Sequence, residues 1–65
     1  MYYRVMRQDD HGNTAIIEAC GEDFNRAKDV YKRMTRVAHK QMYWIEYRKG
    51  VAEEWQVLPE HEARA

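Results

Sequence analysis

The chain is poor in the residues on which whole classes of protein depend. It has a single cysteine, Cys20, among 65 residues, so neither an internal disulfide nor a cysteine-rich zinc site can be assembled from it. Small domains of oxidising compartments lean on disulfides, and a reducing cytoplasm is therefore the expected setting. Proline occurs once and glycine three times, and no stretch has a linker, repeat or low-complexity composition. No apolar run approaches the roughly 20 residues of a membrane span. The opening MYYRVMRQDD alternates and carries charge early, unlike the apolar centre of a signal peptide. Glycine-rich phosphate loops and metal-ligand spacings are also missing. A soluble chain follows as the expectation, with no membrane partner, no cofactor and no small-molecule ligand.

Charge is balanced overall and uneven along the chain. Eleven basic residues meet eleven acidic ones. Residues 1–25 hold five acidic against two basic residues, residues 26–49 eight basic against two acidic, and residues 50–65 four acidic against one basic. A basic middle between acidic ends either attracts an anionic partner or is neutralised by its own flanks on folding.

What is present points to a small α+β domain over residues 1–58. YYRVMRQ (2–8) and TAIIEAC (14–20) have strand composition, and DDHGN (9–13) between them has the asparagine, aspartates and glycine of a tight turn. A β-hairpin is expected. Gly21 breaks the second strand and Asp23 suits an N-cap. The following FNRAKDVYKRMTRVAHK is amphipathic at helical period: Phe24, Ala27, Val30, Tyr31, Met34, Val37 and Ala38 share one face, with Arg26, Lys28, Asp29, Lys32, Arg33, Arg36 and Lys40 opposite. QMYWIEYR (41–48) is a third strand by aromatic and β-branched content. Val51, Ala52, Trp55 and Leu58 suit a short helix slightly better than a strand, and residues 59–65 are expected to fray after Pro59. The predicted architecture is β-β-α-β, an antiparallel three-stranded sheet with the helix on one face and a short C-terminal helix or strand; an order of 2-1-3 would make every pair antiparallel, but the sequence alone does not fix the order.

One helix covers one sheet face, so strand parity decides what is left open. Turning charges outward puts Tyr3, Val5, Ile17, Ala19, Tyr43 and Ile45 under the helix. The other face then carries Tyr2, Arg4, Met6, Ile16, Glu18, Met42, Trp44 and Glu46, more apolar than a solvated sheet surface usually is. Tyr, Trp, Met and Arg are residues enriched at interface cores. Tyr2, Arg4, Met6, Ile16, Met42 and Trp44 are thus the candidate protein interface, for a second copy packing face to face, with Arg4 meeting a glutamate across the axis, or for another protein partner. A competing reading lets residues 51–58 fold back and cover this face, with Trp55 and Leu58 on Trp44.

Nucleic-acid binding is the alternative function. KQMYWIEY (40–47) resembles the strand motif of RNA-recognition domains at Lys40, Trp44, Ile45 and Tyr47, and departs from it at Gln41, Met42 and Tyr43. Such a resemblance implies base stacking on an open sheet; the chain is short for that fold and its strand order differs. Phosphate contact by Arg26, Lys32, Arg33, Arg36 and Lys40 on the helix is the second route. Catalysis is not expected. Cys20 with His11 or His39 is the one nucleophile–base pairing available, and a thiol ending an apolar strand is ordinarily an inert packing residue. His11 beside Asp9 and Asp10 reads as turn chemistry rather than a cation site.

Overall fold

A computed structural model describes residues 1–37 and 41–65. The elements are β1 (Tyr2–Gln8), β2 (Thr14–Gly21), α1 (Phe24–Val37), β3 (Met42–Arg48), β4 (Gln56–Val57) and α2 (Glu60–Ala63). All strand pairs are antiparallel and the sheet order is β2-β1-β3-β4. The α+β class and the antiparallel sheet agree with the sequence reading, and the strand order that the sequence left open is 2-1-3 for the first three strands. Three strands become four, because Gln56–Val57 pairs with the far side of β3.

Local chemistry explains the hairpin and the helix. Asp9 Oδ1 accepts the backbone amides of His11 and Asn13, both at 2.9 Å, and Gly12 takes φ +82°, a left-handed geometry open to glycine at little cost. At the start of α1, Asp23 Oδ1 accepts the Arg26 amide at 3.0 Å and satisfies one of the free donors of the first turn. Ala27, Val30 and Tyr31 are buried on the sheet with Val5, Ile45 and Ala63, and Tyr3, Ile17, Cys20, Met34, Tyr43 and Leu58 pack around them. Val37, placed on the apolar helix face by period, is instead 69% exposed at the end of α1. The expected roles of Ala38, His39 and Lys40 lie outside the described residues.

Two register shifts in the β1–β2 pairing correct the face assignment of β2. Val5 pairs with Glu18 and Met6 with Ile16, so Ile17 is an extra residue; Tyr3 pairs with Gly21 and Arg4 with Ala19, so Cys20 is another. Each bulge inserts one residue and reverses the in–out alternation beyond it. Ile17 still packs on the core, but Glu18 joins it on the helix side and reaches Arg26 of α1. Ala19, expected beneath the helix, is exposed opposite Arg4, and Cys20 replaces it against the core.

The C-terminal segment also differs. Residues 51–58 do not form the slightly favoured helix; they turn back into β4, and Leu58 donates its amide to the Ile45 carbonyl at 2.8 Å. The tail expected to fray carries α2, whose Ala63 is 1% exposed in the core. Pro59 starts this turn instead of merely stopping the strand: its carbonyl accepts the Glu62 and Ala63 amides at 3.0 and 3.2 Å.

An acid-sensitivity prediction follows from the hairpin and its bulge. Asp9 is held below its ordinary value of 3.8, chiefly by the Asn13 amide, and Glu18 below 4.5, chiefly by its hydrogen bond from Arg26. A carboxyl whose pKa is lower folded than unfolded favours folding once ionised. That contribution is complete above the unfolded values and disappears as pH falls through the folded ones. The melting temperature should therefore be flat above about pH 5 and fall below about pH 4, with a shallower fall in Asp9→Asn. Thermal scans between pH 7 and pH 3 check this; a melting temperature that rises on acidification would contradict it.

Candidate functional site

Alternation along β1 and β3 places Tyr2, Arg4 and Met6 with Met42, Trp44, Glu46 and Arg48 on the face away from α1. Their register is direct: Tyr2 opposes Arg48, Arg4 opposes Glu46, and Met6 opposes Trp44 on one side and Ile16 on the other. All six candidate interface residues thus share one surface, which divides into a covered half and an open half.

The covered half is polar, and Arg4, Trp44 and Glu46 pair with one another within it. Arg4 meets Glu46 of its own chain through Nη2 and Nε, at 2.6 and 2.8 Å from Oε1, with the side chains 21% and 15% exposed. Trp44 Nε1 donates to the other oxygen, Oε2, at 2.9 Å. One carboxylate therefore ties the guanidinium and the indole together. Trp55 lies over this pair of rows, with the guanidinium carbon of Arg4 at 4.1 Å and that of Arg48 at 4.4 Å from its ring centre. Each such contact contributes about 0.5–1 kcal/mol at a surface, more when water is excluded. Arg48 also donates from Nη1 to the Val51 carbonyl at 3.1 Å, holding the returning loop. The fold-back of residues 51–58 is therefore real at one end of the face, but its indole sits on arginines, not on Trp44. Leu58, expected beside Trp44, packs into the core instead. Nor is Arg4 free to meet a glutamate of a second copy.

The open half is apolar. Ile16 is 53%, Met42 65% and Val57 61% exposed. Val57 opposes Glu46 in β4, which puts it on the outer face next to Trp44. Half-buried Trp44 stands between Met42 and Val57, and Met6 beneath them is buried. Trp55 and Val57 were not among the candidate residues. Their odd-number alternation around Gln56 is a strand signal, weakened in the sequence by its brevity.

The basic residues are dispersed. Arg26 binds Glu18 through Nε and, at 3.0 Å, through Nη2; that bond holds the guanidinium pKa above its ordinary value. Arg33 and Arg36 are exposed and Lys32 half-buried. Lys32 and Arg36 converge with Thr35 and with Arg64 of α2 around a cavity of about 310 Å³. Lys40 lies outside the described residues.

Cys20 is half-buried, its thiol donating to the Glu18 carbonyl at 3.9 Å, and burial followed by the Glu18 charge pushes its pKa up. His11 belongs to the loop before β2 and Cys20 to the strand's far end, roughly 20 Å along an extended strand, so the two do not meet. His39 lies outside the described residues. Asp9 Oδ1, beside His11, accepts two backbone amides and serves the turn. Among the described residues no helix is long and apolar enough to cross a membrane. Comparison with known proteins gives no match: no family model, curated protein or solved structure is similar to this chain.

Proposed function

We propose that the protein is a small non-catalytic interaction domain that self-associates through the open half of its outer sheet face. The observation that supports this reading is the row of Ile16, Met6 and Trp44 across the sheet, flanked by Met42 and Val57, with Ile16, Met42 and Val57 each more than half exposed. Apolar surface of this kind, on the order of several hundred Å², marks an interface more often than a solvated face. A second copy is favoured as the occupant because Arg4 and Glu46 neutralise each other within the face. Two such faces therefore meet with little charge repulsion about a two-fold axis near Trp44. The area implies a weak, concentration-dependent dimer rather than an obligate one. Nucleic-acid binding is the less supported reading. The Glu46 carboxylate stands beside the Trp44 indole where phosphates would approach, and Arg26 is engaged by Glu18.

The double variant Ile16→Lys, Met42→Lys tests the proposal. Both side chains are exposed, so each change should alter folding stability by under about 0.5 kcal/mol. Self-association, read by sedimentation velocity, should disappear. A dimer that survives both substitutions unchanged would overturn this use of the face.

A further inference from the structure

Beyond the sheet face, the edge of β3 that β4 leaves unpaired among the described residues offers a second kind of surface. Leu58 donates its amide to the Ile45 carbonyl. That bond fixes which backbone groups of β3 point away from β1, namely those of the odd-numbered residues. The Tyr43 N–H and C=O therefore point into the same lane that β4 occupies farther along. β4 reaches only Glu46 and Tyr47, and after Leu58 the chain leaves the lane at Pro59 to form α2. Alongside Met42–Trp44 lies a groove of about 410 Å³ among the described residues. Its rim on the outer face is Met42, Trp44 and Val57; its inner wall includes Tyr31, Ala63 and Arg64.

A strand edge with unpaired backbone groups recognises extended peptide before any other ligand, and the flanking side chains then select its sequence. Here the two sides differ. Residues of an added strand that point outward meet Met42, Trp44 and Val57. Residues that point inward face Thr35 and, beyond it, the neighbouring cavity of Lys32 and Arg36; Arg64, which lines both, is bound by Glu60 at 2.9 Å, and Glu60 lines the groove as well. We infer that the Met42–Trp44 edge accepts an extended segment of another protein as an added strand, apolar at alternate positions and acidic between them. The open stretch of three residues accommodates about 10 Å of strand. A second copy fits this lane poorly. The other open edge of the sheet, β2, carries two bulges that break its register, and bulges ordinarily blunt edge-to-edge pairing.

The test uses the peptide acetyl-Val-Glu-Val-Glu-Val-amide and its lysine counterpart, titrated into the isotope-labelled chain. The acidic peptide should shift the Tyr43, Trp44, Thr35 and Arg64 signals and slow exchange of the Tyr43 amide. The lysine peptide, and the acidic peptide on Lys32→Glu, Arg36→Glu, should each bind roughly tenfold or more weakly, a difference of at least about 1.4 kcal/mol. Ile16→Lys, which lies on β2 away from the groove, should leave peptide binding intact while weakening self-association. Failure of the face proposal and failure of this one are therefore separable. Equal binding of the two peptides would overturn the inference, as would a hexathymidylate that shifts Lys32, Arg36 and Arg64 while the acidic peptide shifts nothing.

Discussion

Ile45→Ala should leave little folded protein in a mild denaturant in which the unaltered chain is folded. Ile45 is fully buried opposite Val5, at the point where β1, β3 and α1 meet. Truncating such a side chain removes its transfer free energy and opens a cavity the neighbours fill only partly, about 2–5 kcal/mol. A domain of this size has a net stability of about 3–10 kcal/mol. The substitution therefore consumes a large share of it, and urea unfolding followed by circular dichroism should show a midpoint lowered by roughly half. Val37→Ala is the internal contrast: at 69% exposure it should shift stability by under about 0.5 kcal/mol. Similar effects from the two changes would contradict the packing of α1 on the sheet.

Trp55→Ala should cost about 2 kcal/mol although the residue lies in a short returning segment. Its indole is held between the guanidinium groups of Arg4 and Arg48, and two such contacts contribute about 1–2 kcal/mol together, to which lost apolar burial adds. Losing the ring also leaves Arg48 with a buried Nε that has no protein hydrogen-bond partner among the described residues and no aromatic surface to rest on. Thermal unfolding read by circular dichroism measures the cost. A change under about 0.5 kcal/mol would mean that the loop merely rests on the sheet.

Much of this arrangement was legible where a local rule and a global one coincide. Asp9 and Gly12 mark the hairpin because their chemistry is confined to the turn. The helix is legible because a 3.6-residue period recurs through Ala27, Val30 and Tyr31. The faces of β1 and β3 follow from Arg4 and Glu46, whose charges point away from a single covering helix and toward each other. The rest depends on contacts that composition does not encode. Bulges at Ile17 and Cys20 reverse parity without a distinctive residue type, so Glu18 and Ala19 change sides. Strand β4 has two residues and α2 four, too few for a period, and each exists because its partner surface does: β3 for Val57, the core for Ala63. Trp55 finds two arginines distant in sequence, which no window along the chain contains. The uneven charge resolved partly within the fold, through Arg26 with Glu18, Arg4 with Glu46 and Arg64 with Glu60, while Lys32 and Arg36 keep an excess of positive charge beside their cavity.

Sedimentation equilibrium over protein concentrations from the micromolar to the millimolar range, on the unaltered chain and on Trp44→Glu, tests the self-association account most directly. Trp44 lies on the face away from the helix, so a carboxylate there should keep the fold and disrupt the meeting of two faces. The unaltered chain should pass from 7.9 kDa toward twice that mass as concentration rises, with Trp44→Glu folded and monomeric throughout. A mass of 7.9 kDa for the unaltered chain at every concentration, or a dimer that Trp44→Glu leaves intact, would contradict it.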